Sequence, residues 1–152
     1  MDEIKVVDFL EKTDTKGFIF PDPDKCKAHV FAACEGLPEW LRILVAMIAW
    51  SYASAVKESW VSAWSYKMEH FVALIEVLRT YVLYYSLVSS GERKKIASVL
   101  LPLILLQPAR TKNDREPKIY PEGLKELGGL IKFLDPKVKF PKTHWDYVLK
   151  VA

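Results

Sequence analysis

The chain has 152 residues, 51% apolar, 12% aromatic and 27% charged. That length fits one domain with a sizeable core, and that composition excludes intrinsic disorder. The net charge of +3 is unevenly divided: residues 1–90 carry nine Lys/Arg against twelve Asp/Glu, and residues 91–152 carry thirteen against seven.

In chain order, 4–11 reads as a short helix with Ile4, Val7 and Leu10 on one face. Phe18, Ile19 and Phe20 form a short extended piece before Pro21 and Pro23. Asp24 is placed to cap a helix over 25–35, and Gly36 to stop it. Pro38 sits where the first residue of the next helix belongs. That helix is apolar on most of its surface, from Leu41 through Ile48 to Trp50, so it should be buried on most of its surface. It either runs on to Trp60 or Trp64 or breaks within 59–65. A long helix over 66–88 follows, with Met68, Phe71, Val72, Ile75, Leu78, Val82 and Tyr85 recurring at three and four.

Ser89 and Glu92 have capping-box spacing, so a new helix starts there and carries Ile96, Val99, Leu100, Leu103 and Leu106. Pro102 costs it a hydrogen bond and should kink it, and Pro108 ends it. Residues 109–120 read as an exposed basic connection. Pro121 opens a helix with Leu124, Leu127, Leu130, Ile131 and Leu134 inward, stopped by Asp135-Pro136. Thr143 can cap a last helix over 144–151. The expected fold is all-α: a compact helical bundle of five to seven helices in one domain over 1–152, with a short irregular N-terminal segment.

Two apolar runs, 43–56 and 96–107, span 14 and 12 residues. A membrane span needs roughly 20, so both are expected to be buried helices. Met1-Asp2-Glu3 is acidic, unlike the start of a signal peptide. The expectation is a soluble, cytoplasmic protein with no membrane partner. Cys26 and Cys34, if they share a helix, lie roughly 12 Å apart and cannot bridge. They read as small buried hydrophobes in a reducing compartment. The chain has one Asn (Asn113) and one Gln (Gln107) beside abundant charge. Amide depletion of that kind suggests a thermophilic, archaeal source.

Sites of chemistry are sparse. Cys26, His29 and Cys34 can share a helix face, but a structural zinc site needs a second ligand pair. No metal or other cofactor is expected. His70 beside Glu69 does not form an acid–base pair, because adjacent helical residues point in different directions. No Gly-rich phosphate loop, His-Glu-x-x-His or Gly-x-Ser-x-Gly occurs. A non-enzyme is expected.

Among the aromatics, Trp40, Trp50, Tyr52, Tyr81, Tyr84 and Tyr85 are embedded in apolar patterns and read as packing or interface residues rather than base-stacking platforms. Trp60 and Trp64, one turn apart near polar residues, are the candidate protein interface. The basic candidates for nucleic-acid contact are Arg93, Lys94 and Lys95 at a helix start, then Arg110, Lys112, Arg115 and Lys118 on the connection. Arg79 joins them, alone among apolar neighbours, its head group needing either Glu76 or a phosphate. Three cations in a first helical turn oppose the macrodipole, which points to a partner that offsets the cost.

From residue 66 to the end, the chain resembles the small helical subunit of CRISPR–Cas effector complexes of the type III kind. The resemblance rests on Arg79 within Val77-Leu78-Arg79-Thr80-Tyr81, on the apolar stretch 100–106 closed by Arg110, and on the basic connection and C-terminal helices that follow. It implies a part in antiviral defence without catalysis. Copies of the subunit would line a guide–target duplex, with other subunits of the complex as neighbours and the RNA or single-stranded DNA backbone as ligand. The competing reading is a helical adaptor or homo-oligomer that associates through an exposed Trp/Tyr surface and binds no nucleic acid.

Overall fold

The computed structural model describes residues 22–58, 66–106 and 120–140. Its described residues form five α-helices and one 3₁₀ turn, with no strand, so the all-α expectation holds. The expected elements at 4–11, 18–20 and 144–151, and the connection over 109–119, lie outside the described residues.

Helix α1 spans Pro23–Ala33. Its cap is Asp22, whose carboxylate accepts from the Asp24 N–H at 2.8 Å, not Asp24 as the sequence suggested. Pro23 explains the earlier start: its fixed φ suits the first helical position and its missing N–H costs nothing there. Asp24 instead accepts from the Trp50 indole N–H at 3.1 Å and ties α1 to the next helix. Gly36 follows α1 with φ +99, the left-handed turn expected of it.

Helix α2 spans Glu39–Glu58. The Pro38 carbonyl accepts from both Leu41 and Arg42, so Pro38 sits just ahead of the helix rather than within it. Leu41, Val45, Ile48, Ala49, Tyr52, Ala53 and Val56 are fully buried, and Ser51 and Ser54 are buried with them. An apolar surface this wide is covered by packing against α1 on one side and against two later helices on others.

Helix α3 spans Tyr66–Leu83 and buries Met68, Phe71, Ile75, Leu78 and Val82 at the expected spacing. It does not continue to residue 88. Ser86 takes φ +50, and the Leu87 N–H turns back to the Tyr81 carbonyl at 3.1 Å. Tyr85, expected to point inward, is therefore 62% exposed.

Helix α4, Ser90–Leu100, carries both bonds of the capping box: Glu92 N–H to Ser89 Oγ at 3.2 Å, and Ser89 N–H to Glu92 Oε1 at 2.9 Å. Pro102 then converts the chain to the 3₁₀ turn Leu101–Leu105 rather than kinking a continuous helix. Proline lacks the N–H that would bond four residues back, and its ring crowds that carbonyl. Helix α5, Tyr120–Leu134, buries Leu124, Leu127, Leu130, Ile131 and Leu134, all five as expected from their spacing. The Asp135 N–H still bonds the Ile131 carbonyl, and Pro136 then stops the helix. One apolar cluster draws on every helix, with Val138 and Phe140 packed at its edge.

Cys26 and Cys34 are buried, unbridged thiols. Burial pushes the Cys26 thiol from 9.0 up to about 12. A thiol is neutral when protonated, so the folded state holds its proton to higher pH than the unfolded chain does. Its contribution is complete below pH 9.0 and is lost as pH rises toward 12. Between those limits stability should fall by about 1.4 kcal/mol per pH unit. Denaturant titrations across that range, on the wild type and on Cys26→Ala, check this. The variant should lose this component of the slope, and equal slopes would refute it.

Candidate nucleic-acid interface

Three of the cations picked out from the sequence converge on ordered partners. Arg79 leaves α3 half-buried, with its Nη1 3.2 Å from Glu76 Oε1. Its guanidinium carbon lies 5.7 Å from the centre of the Phe133 ring on α5. On the way it passes Gly129, where a Cβ would stand 3.7 Å from its Nη2. The side chain thus lies along α5, its charge shared between a carboxylate and an aromatic ring.

Arg93 reaches the same ring from α4, at 5.4 Å, and its Nη2 donates to the Phe133 carbonyl at 3.0 Å. That carbonyl belongs to the last turn of α5, where backbone acceptors have no partner within the helix. Lys95 does the equivalent for α1: its Nζ donates at 2.7 Å to the carbonyl of Glu35, in the turn beyond that helix. Two of the three cations that oppose the α4 dipole therefore serve the C-terminal ends of two other helices, where positive charge is favoured. Their placement has an internal explanation and does not itself require an external anion.

Lys94, between them, is exposed. Lys132, the residue before Phe133, is exposed as well, and so are Lys137 and Lys139 just beyond α5. Phe133 thus anchors a pair of arginines, while the exposed Lys94 and Lys132 are next in sequence to Arg93 and Phe133, about 100° round their helices from them. Lys132, Lys137 and Lys139 do not stand out in the sequence, because they are scattered singly through an apolar helix and the segment after it. Arg110, Lys112, Arg115 and Lys118, like Trp60 and Trp64, lie outside the described residues.

The other candidates do not assemble. Cys26 and Cys34 point into the core while His29, on the same helix as Cys26, is exposed. Among the described residues no group of three metal-ligating side chains comes together. Ser51 Oγ and His70 Nδ1 approach to 3.5 Å, but Ser51 is sealed in the core, out of reach of a substrate. Between α1 and α2, an apolar groove of about 340 Å³ is lined by Phe31, Ile43 and Met47, with Lys27 at its edge. No helix among the described residues is long and apolar enough to cross a membrane. Compared with known proteins, the chain matches no family model, no curated protein and no solved structure.

Proposed function

We propose that this chain is a non-catalytic subunit of a larger nucleoprotein assembly, and that it contacts the backbone of RNA or single-stranded DNA through its cationic C-terminal part. The observation that carries the reading is the charge division: thirteen Lys/Arg against seven Asp/Glu over residues 91–152, on an otherwise apolar helical scaffold. Lys94 and Lys132 are exposed members of that set, each next in sequence to a partner of the Arg93–Phe133 bond. Lysines of this kind suit phosphate as point charges, without base recognition. The resemblance to the small helical subunit of CRISPR–Cas effector complexes supports the same reading and supplies the kind of assembly to look in.

Binding of labelled single-stranded RNA and DNA, followed by fluorescence anisotropy across a salt series, tests it. Affinity should fall linearly on a log–log plot, with a slope of about −0.7 for each phosphate neutralised. It should depend little on sequence. An absence of binding at low salt, both for the isolated chain and for complexes purified from the source, would sink the proposal.

A further inference from the structure

Helix α3 carries a second apolar stripe on the side away from the core. Ala73, Val77, Thr80 and Tyr84 follow one another at four, three and four residues, the spacing of a helix–helix seam. Ala73 is exposed, Val77 is 40% exposed and Tyr84 80%. The Thr80 hydroxyl bonds the Glu76 carbonyl at 2.8 Å, so its polar group is already satisfied. Beside the stripe, Trp40, Tyr81 and Tyr85 form a chain of rings with centroids 5.2 and 6.0 Å apart. Leu83 and Leu87 are 60% and 54% exposed at the same end of the helix.

We infer that this face is the two-fold interface of a homodimer, with α3 packed antiparallel against α3 of a second copy. Three observations select that occupant. The first is shape. The stripe is small at its start, Ala73, and large at its end, Tyr84. An antiparallel two-fold sets each Tyr84 over the partner copy's small end, whereas a parallel pair stacks ring on ring and leaves a void between alanines. The second is area. At about 200 Å² per large side chain, the exposed fractions of Trp40, Leu83, Tyr84, Tyr85 and Leu87 sum to about 600 Å² on each copy, the ceiling reached if all five are covered completely. Two copies then bury up to about 1,200 Å², the lower limit for specific interfaces. A patch that size is also at the upper limit for the surface of a monomer. The third is charge. From Ala73 to Tyr84 the stripe itself carries no charged residue; Glu69 stands one turn before Ala73 at its far end, and Glu76 on its flank is paired with Arg79 at 3.2 Å. The stripe itself carries no cation for a phosphate backbone, and it brings no unpaired charge into a two-fold contact.

Sedimentation of the full chain, freed of nucleic acid, tests the dimer. The wild type should shift from monomer to dimer as concentration rises. Tyr84→Glu should raise the dimer dissociation constant roughly 30-fold or more, the scale of an interface hot spot. Because Tyr84 is so exposed, the far-ultraviolet circular dichroism of the variant should match the wild type. Orientation is read by cross-linking. The double variant Val77→Cys with Thr80→Cys, which face each other in this register and leave Tyr84 in place, should form a disulfide-linked dimer under mild oxidation, and Ala73→Cys alone should not. A wild type that stays monomeric overturns the inference and leaves the face to a different protein. A dimer indifferent to Tyr84→Glu, or one linked through Ala73→Cys alone, also overturns it.

Discussion

Phe71→Ala should destabilise the fold by about 3–5 kcal/mol, the range for truncating a fully buried aromatic side chain. Phe71 has no solvent exposure, and its ring lies 5.4 Å from that of Tyr52, tilted by 52°. The site is a junction of three helices. Tyr52 comes from α2, Phe71 and Met68 from α3, and Gly123 from α5. At Gly123 a Cβ would stand 2.5 Å from Met68 Cε, so the backbone of α5 already lies against the α3 side chains. Such a site has little freedom to collapse around a deleted ring, and the cavity persists. Against a total stability of about 5–15 kcal/mol the loss is large. The thermal midpoint should drop by roughly 6–20 °C for a chain of this size. Phe71→Leu, which refills most of the volume, should lose far less. Thermal and denaturant unfolding of both variants checks this. A midpoint for Phe71→Ala within a degree or two of the wild type would show that α3 is not held through this junction.

The parts of this fold that can be read in the sequence are those decided within a few residues. Ser89 and Glu92 are three apart, and both capping-box bonds form. The inward residues of α5 follow one helical period and are all buried. Where two local signals compete, the reading fails by a short distance. Asp22 and Asp24 are equivalent as caps, and Pro23 between them decides for Asp22. The end of α3 carries no glycine or proline, and Tyr85 continues the inward spacing of Val82 and Leu78. Its turn depends on Ser86 adopting a left-handed backbone, which side chains other than glycine seldom do.

The site is less legible because its partners are remote in sequence. Arg93 bonds a carbonyl 40 positions away and Lys95 one 60 positions away, so neither capping role leaves a local trace. The aromatic face of α3 does leave one. The spacing of Ala73, Val77, Thr80 and Tyr84 is a second helical stripe, overlapped by the stronger one through Phe71, Ile75 and Leu78. A helix with two apolar faces has more apolar surface than one core can cover.

Removing the half-buried Arg79 together with the exposed Lys94 and Lys132, as Arg79→Ala, Lys94→Ala and Lys132→Ala, should weaken single-stranded nucleic-acid binding far more than it weakens the fold. Binding should become less favourable by about 1–3 kcal/mol for every charge-assisted bond to phosphate that the substitutions delete. The salt dependence should become shallower by about 0.7 for every phosphate no longer neutralised. The thermal midpoint should fall by only a few degrees, since the Arg79 contact with the Phe133 ring contributes about 0.5–1 kcal/mol. Among the described residues, the one ion pair these substitutions break is Arg79 with Glu76, an exposed pair on one helix with side chains 28% and 63% accessible. Pairs of that kind contribute about 0–1 kcal/mol.

Arg93→Ala should show the opposite signature. It removes the donor to the Phe133 carbonyl and the stacking on the Phe133 ring, so it should lower stability by about 1–3 kcal/mol with little change in affinity. Measuring the thermal midpoint and the salt-dependent affinity of both variants sorts the cations that hold helices together from those that meet a ligand. If the triple variant keeps the wild-type affinity and slope, these three cations do not meet nucleic acid. If it keeps its affinity and loses stability, Arg79 belongs with Arg93 as a clamp on α5.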